Sequence, residues 1–143
     1  MMVRHRWTLI LVAVFVFAGV VGQPASGADT TVNVASATVG GKTQQILVDA
    51  KGMSLYTLSS DTATSSACTG GCASAWPPLL SAGEPTAPAS AKGKLALVKT
   101  ANGSQVSYNA HLLYRFSDDS KPGDVQGEGL KGPQNGMWHV ATP

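Results

Sequence analysis

A seven-residue stretch occurs twice in this chain, and the duplication restricts the folds that the sequence can adopt. Residues 55–61 read LYTLSSD and residues 113–119 read LYRFSDD, so both copies follow Leu-Tyr-x-(Leu/Phe)-Ser-x-Asp. Each copy leads into a Gly-rich stretch and then a tryptophan, Trp76 after the first and Trp138 after the second. Two copies in the same flanking order predict a duplicated structural unit.

Short apolar runs separated by turn residues predict an all-β fold. The predicted strands are residues 32–39, 44–48, 53–58, 94–99, 104–108, 111–116 and 136–141. Gly and Pro interrupt each stretch that could be helical, so no helix is predicted. We expect two similar antiparallel meander repeats, about 30–80 and 94–143, packed as one small sandwich or barrel-like domain. The Pro-, Ala- and Ser-rich residues 81–93 are predicted to link the repeats.

The first 28 residues have the layout of a secretory signal peptide. Basic residues precede an apolar run from Trp7 to Val21, and Ser26-Gly27-Ala28 forms a small-residue cleavage site. That run is short for a membrane span, which needs about 20 residues; an uncleaved anchor is the alternative, and would be the only membrane contact. Because no cysteine stands at the cleavage site, residues 29–143 are predicted to form one secreted or envelope-associated domain that is not a lipoprotein.

The charge balance argues against a polyanionic partner. The chain has ten Lys and Arg and eight Asp and Glu, and Arg4 and Arg6 lie in the predicted signal peptide. Residues 29–143 therefore contain equal numbers of basic and acidic side chains. A nucleic-acid-binding protein needs a basic face, so that class is excluded.

The chain has two cysteines, Cys68 and Cys72. In an exported protein two cysteines are expected to pair. Because the closed ring is small, the disulfide would contribute only about 2 kcal/mol through chain entropy. Its predicted role is to hold the loop that leads to Trp76.

The motif residues are expected to be structural. Alternation along a strand places Tyr114 and Phe116 on one face, and Tyr56 has the same place in the first copy. Asp61 and Asp119 follow where each strand ends, where a carboxylate can accept backbone N–H groups and fix the loop. The alternative is that Tyr and Asp side chains from both copies line a shared cleft.

Trp76 and Trp138 are the bulky residues of their segments. Because aromatic side chains contribute much of the burial in a small domain, both are expected in the core. The alternative is a surface platform on which a sugar or another ring stacks.

Metal sites are weak alternatives, and no cofactor is predicted. His111, Met137 and His139 could suit a soft metal such as copper, but the pattern supplies few ligands. The acidic residues 118–129 suggest calcium, although Pro122 breaks the EF-hand template. No catalytic motif was found, so the protein is not expected to be an enzyme.

Longer motifs resemble those of a known family. Residues 68–79 read CTGGCASAWPPL, residues 108–116 read YNAHLLYRF, and Tyr114, Phe116 and Asp119 fit Y-x-[FWY]-x-x-D. These stretches are similar to a bacterial family of secreted proteins and lipoproteins described as a secreted repeat of unknown function. The resemblance implies export and duplication but no established activity. This chain departs from the family at Leu58, which replaces an aromatic residue, and in lacking the lipoprotein cysteine.

A further departure is Ala110, where the family has Gly. Since Gly favours a type I′ turn, another turn type is expected after Tyr108.

Three functions remain open from the sequence. The leading hypothesis is a non-catalytic exported module that binds an envelope or extracellular partner, or a small ligand. It would use the loops after Asp61 and Asp119, which are long and Gly-rich, with Trp76 or Trp138 nearby. The alternatives are a redox or metal-handling envelope protein of the copper or haem type, and a purely structural surface protein.

Overall fold

The computed structural model describes residues 32–143, and the predicted signal peptide lies outside them. The elements are β1 (Asn33–Val39), β2 (Lys42–Val48), β3 (Tyr56–Leu58), α1 (Gly71–Ala75), β4 (Leu95–Thr100), β5 (Gly103–Tyr108), β6 (His111–Leu112), a 3₁₀ turn (Pro133–Asn135) and β7 (Trp138–Val140). Within residues 32–143 no helix is long and apolar enough to cross a membrane.

The all-β prediction is confirmed, and the strands form three small antiparallel sheets. One contains β1 and β2, the second β3 and β7, and the third β4, β5 and β6. In the second half all three strands of the predicted meander lie in one sheet. In the first half the chain also returns antiparallel along β2, through the Val48–Ser54 bridge and the hydrogen bond from the Leu55 N–H to the Leu47 carbonyl, and β3 then pairs with β7 of the other repeat. The sequence period identifies strands but does not identify their partners.

An approximate twofold relation joins the two halves. Tyr56 and Tyr114 exchange both backbone hydrogen bonds, at 2.9 and 3.0 Å. In a matching pair of bonds, the Leu79 N–H donates to the Leu113 carbonyl and the Ala141 N–H to the Leu55 carbonyl. Each half thus lays its tryptophan-bearing segment along the motif strand of the other half.

The short helix α1 was not predicted from the sequence. It lies at the end of the five-residue segment closed by the Cys68–Cys72 disulfide, and the Trp76 N–H donates to the Cys72 carbonyl at 2.8 Å. Five residues are too few to show an apolar stripe of helical period. Hydrophobic periodicity therefore could not reveal this element.

The turn between β5 and β6 also differs from expectation. Tyr108 pairs with His111, which leaves a two-residue loop, and both Asn109 and Ala110 have positive φ, 49° and 66°. Positive φ at both central residues defines a type I′ turn, so the prediction of another type is wrong. Asn109 fixes the turn, because its N–H donates to the Lys94 carbonyl and its Oδ1 accepts the Lys94 N–H, both at 2.9 Å.

Residues 81–93 are irregular and lie against the body of the protein. The Val32 N–H donates to the Thr86 carbonyl at 2.8 Å, and Ala91 is buried in the second of two apolar clusters. The first cluster contains the motif tyrosines and the tryptophans. The connection between the repeats is therefore part of the packed structure.

Candidate functional site

The motif tyrosines and aspartates pair across the two repeats. The Tyr56 hydroxyl donates to Asp119 Oδ2 at 2.6 Å, and the Tyr114 hydroxyl donates to Asp61 Oδ2 at 2.7 Å. Both tyrosines are fully buried. Each copy of the motif therefore supplies a donor to the other copy and receives one in return.

The second oxygen of each aspartate holds the loop that follows. Asp61 Oδ1 accepts the Ala67 N–H at 2.8 Å, and Asp119 Oδ1 accepts the Gln126 N–H at 2.9 Å. A carboxylate can accept at both oxygens, so one side chain joins the repeats and also closes a loop. The loops that the sequence suggested for binding are tied to the core at these points.

Burial keeps the two motif tyrosines in their neutral donor form. Burial raises the pKa of the Tyr56 and Tyr114 hydroxyls well above the ordinary tyrosine value, and the partner carboxylates Asp119 and Asp61 add to the rise. Burial also raises the pKa of Asp61, although hydrogen bonds from Ala67 and Tyr114 act in the opposite direction. A tyrosine held neutral is a hydrogen-bond donor, so the pairs are suited to holding the fold.

The two tryptophans stack on each other in the interior. Their ring centroids are 3.8 Å apart and their planes differ by 5°. Phe116 stacks on Trp76 at 4.1 Å, and Tyr56 and Tyr114 contact the stack edge-on. Trp76 is 6% exposed and Trp138 is 0% exposed, so neither ring offers a face to a ligand in this structure.

Leu58 stands where the family motif has an aromatic residue. It is paired directly with Trp138 across β3 and β7. Atoms of Leu58 and Trp138 both lie close to the backbone of Gly132. Leu58 is thus an aliphatic neighbour of Trp138, whereas Phe116 stacks on Trp76.

The predicted disulfide between Cys68 and Cys72 is present. Cys68 is fully buried in the aromatic cluster, and Cys72 packs against the same cluster. The disulfide therefore fastens α1 to the core beside Trp76, which is the place that the sequence suggested.

The acidic loop uses several of its carboxylates internally. Asp124 accepts N–H groups of Ser120 and Lys121 and pairs with the Lys121 ammonium at 2.9 Å. The hydrogen bond from the Lys121 side chain is the largest cause of the lowered pKa of Asp124. Glu128 accepts the Val140 N–H at 2.6 Å. The calcium alternative stays a prediction.

The candidate copper ligands lie on or next to β6 and β7. His139 is exposed and its Nδ1 is 3.0 Å from Glu128 Oε1. His111 is exposed on β6, and Met137 precedes β7 and is partly buried. Within residues 32–143 no three His, Cys, Asp or Glu side chains are grouped so that they could hold a metal ion. The copper alternative stays a prediction that metal analysis of the purified protein tests.

A cleft of about 340 Å³ opens beside β6 and β7. We call it the β7 cleft, and its lining residues are Thr57, Tyr108, Asn109, His111, Leu113, Val140, Ala141, Thr142 and Pro143. Leu113, Val140 and Ala141 are buried and form an apolar base. Of these residues only His111 was singled out from the sequence.

The twofold relation shows why the cleft exists on one side of the molecule. Thr57 and Arg115 are equivalent, because they stand two residues after the equivalent Leu55 and Leu113. Leu47 and Val106 are also equivalent, because their carbonyls accept the N–H groups of Leu55 and Leu113 respectively. Two residues further on, one half has Asp49 and the other has Tyr108. Arg115 Nε lies 2.7 Å from Asp49 Oδ2, and this ion pair occupies the equivalent place in the other half.

In the β7 cleft a short hydroxyl side chain replaces the guanidinium, and a tyrosine replaces the carboxylate. The Asp49 side chain is only 3% exposed and the Arg115 side chain is 45% exposed, so a buried carboxylate with a half-exposed guanidinium stands in one half where the cleft opens in the other. An alignment of the two repeats could have revealed the cleft. It would have shown that Thr57 corresponds to Arg115 and that Tyr108 corresponds to Asp49.

Comparison with known families agrees with this architecture. Residues 37–80 and 96–142 each match the model of a family described as "Secreted repeat of unknown function". The matches cover more than half of the chain, so the protein belongs to this family, as its motifs indicated. Searches of curated proteins and of solved structures gave no match.

Proposed function

We propose that this protein is a non-catalytic, exported binding module whose ligand site is the β7 cleft. The observation that supports the proposal most strongly is the unequal pair of equivalent sites. One is filled by the ion pair of Asp49 and Arg115, and the other is an open cleft. A difference of this kind between two copies of one unit favours a specialised site on the open side.

The remaining motif residues support this choice by being engaged elsewhere. The Tyr–Asp pairs and stacked tryptophans are buried in contacts with one another. The cleft instead presents exposed side chains, including His111 and Asn109, beside the buried residues Leu113, Val140 and Ala141. Small-molecule sites in proteins are typically concave and of about 300–1,000 Å³, a range that includes this cleft.

Export follows from the family, which is described as secreted. The binding partner is therefore proposed to be a component of the envelope or of the medium outside the cell. We further propose that the protein is released from the cell after cleavage of its signal peptide.

Retention on envelope material tests the proposal. The protein, expressed with its own N-terminal segment, is recovered from the producing cell and incubated with washed envelope fragments. Thr57→Arg introduces into the cleft the type of side chain that Arg115 supplies at the equivalent place in the other half. Because this side chain would fill the cleft, the variant should reduce retention at least about tenfold. Thr43→Arg adds the same charge at an exposed position of β2 and should leave retention unchanged. Equal retention of the two variants would contradict the proposal.

A further inference from the structure

We infer that the β7 cleft binds an uncharged sugar unit, such as one residue of an extracellular glycan. This inference rests on the proposed function, since it specifies the ligand of the same site. It follows from the charge, the hydrogen-bonding groups and the apolar base of the cleft.

The side chains that line the cleft carry no formal charge when histidine is neutral. No Asp, Glu, Lys or Arg is among them, although eight acidic and ten basic residues occur in the chain. The equivalent place in the other half holds both a carboxylate and a guanidinium. The lining side chains therefore offer a charged ligand no opposite charge for the hydration that it would lose, which favours a neutral ligand.

The polar groups of the cleft suit hydroxyl groups. The Thr57 hydroxyl and a neutral imidazole at His111 can each donate and accept a hydrogen bond. Among residues 32–143 neither side chain has a hydrogen-bond partner, and both line the cleft. A sugar hydroxyl also donates and accepts, so it can pair with either group in either direction.

Other polar groups at the cleft are already committed and hold its shape. The Tyr108 hydroxyl accepts the Gly93 N–H at 2.5 Å, and Asn109 Oδ1 accepts the Lys94 N–H. These bonds fix the Tyr108–Asn109 part of the lining and leave the N–H groups of the Asn109 side chain as further donors. Tyr108 and Asn109 are therefore held by bonds to residues 93–94 before a ligand arrives.

Apolar groups at the cleft suit the C–H face of a sugar ring. Pro143 is exposed and supplies apolar surface at the edge, while Leu113, Val140 and Ala141 lie beneath the cleft and are at most 7% exposed. A pyranose has hydroxyls at its rim and C–H groups on its faces, which matches a cleft with polar walls and an apolar base. A volume of about 340 Å³ accommodates one such ring with its substituents.

A matched series of glucose derivatives tests the inference by two-dimensional NMR of the ¹⁵N-labelled protein. N-acetylglucosamine is neutral, glucosamine is a cation and glucuronate is an anion, and a capped alanyl-alanine amide serves as a neutral peptide probe. We expect N-acetylglucosamine to shift the amides of Thr57, Asn109 and His111 with a dissociation constant of about 1 mM, the value usual for a ligand of this size. The charged sugars should bind at least about fivefold more weakly.

Two variants distinguish hydrogen bonding from general effects on folding. Thr57→Val keeps the shape of the side chain and removes its hydroxyl, and His111→Ala removes an exposed ring. Each should weaken sugar binding about fivefold, the usual effect of one lost hydrogen bond. Thr43→Arg should bind as the parent protein does.

The outcomes separate this inference from the proposed function. Stronger binding of a charged sugar or of the peptide at the same amides would overturn the sugar inference and leave the binding function standing. Shifts outside the cleft, or unchanged binding in both Thr57→Val and His111→Ala, would also overturn it. If none of the four probes shifts the cleft amides and Thr57→Arg is retained on envelope fragments as well as Thr43→Arg, both proposals fail.

Discussion

Residue contacts explain why the motif needs both a tyrosine and an aspartate in each copy. Tyr56 bonds to Asp119 and Tyr114 bonds to Asp61, so neither tyrosine uses the aspartate of its own copy. A single copy would leave a buried hydroxyl without its partner, which costs about 1–3 kcal/mol. The motif is therefore complete only when two copies meet.

Double-mutant cycles should show that the coupling crosses between the repeats. Tyr56→Phe and Asp119→Asn should each lower the free energy of unfolding by about 1–3 kcal/mol, and their effects should be strongly non-additive. Tyr56→Phe combined with Asp61→Asn should be close to additive, because those side chains do not bond to each other. Urea unfolding measures all of these values. Stronger coupling within a copy than between copies would contradict the crossed arrangement.

The same tyrosines predict a loss of stability in alkali. Burial raises the pKa of both hydroxyls above their ordinary value of 10.0. Above about pH 10 the unfolded chain therefore releases protons that the folded protein keeps, and stability falls as pH rises. Each tyrosine should contribute a slope of about 1.4 kcal/mol per pH unit in this range. Tyr114→Phe should make the measured decline less steep, and an unchanged slope would disprove the assignment.

Close approach at Gly127 should make that position intolerant of a side chain. An added Cβ would lie 2.5 Å from the Trp76 ring and 2.9 Å from the Tyr56 ring. Because both rings are buried and cannot move aside easily, Gly127→Ala should lower the free energy of unfolding by about 1–3 kcal/mol. Gly71→Ala is the matched control, since a Cβ there meets no atom within 4 Å, and it should be neutral or slightly stabilising. Equal effects of the two changes would refute this packing.

At the scale of single elements, the turn between β5 and β6 contains a strained residue. Ala110 has φ 66°, a conformation that costs an L-residue roughly 1–2 kcal/mol and glycine little. Ala110→Gly should therefore raise the free energy of unfolding by about 1 kcal/mol. Ala96→Gly in β4 should lower it, because strand positions favour a side chain. Thermal unfolding of both variants checks the prediction, and a destabilised Ala110→Gly protein would count against it.

The sequence predicted the element types better than the connections between them. All seven strands were expected, because alternating apolar residues and turn residues are local signals. The strand containing Tyr114 was predicted over 111–116, and β6 ends at Leu112, with Tyr114 held in isolated bridges to Tyr56 and Pro78. That shortening arises from pairing with the other repeat. Non-local pairing has no signature in a single segment, so β3–β7 was missed as well.

At the scale of the whole molecule, duplication produced a fold in which neither half is self-contained. The segment after each tryptophan lies on the motif strand of the other half, through Leu79 to Leu113 and Ala141 to Leu55. The aromatic stack at the centre takes one tryptophan from each half. The shared core depends on residues that match in the two copies, and function is proposed where they differ.

The site could be predicted from the sequence only in part. His111 was noticed for its side-chain chemistry, but its setting depends on Thr57 and Val140, which are far apart in the chain and meet through β3 and β7. The loops after Asp61 and Asp119 were favoured because Gly-rich loops often bind ligands. Their anchoring to the core through Ala67 and Gln126 could not be deduced from composition.

The measurement that tests the central claim most directly is an NMR map of the protein's amides during titration with soluble fragments of the producing cell's envelope. The account predicts that shifts concentrate at the β7 cleft, on Thr57, Asn109 and His111, and are lost in Thr57→Arg. Residues 62–70 and 120–128, in the loops after the motif aspartates, should stay unchanged. Shifts confined to those loops, with the cleft unaffected, would contradict the claim that the motif builds the fold and the unequal cleft binds the ligand.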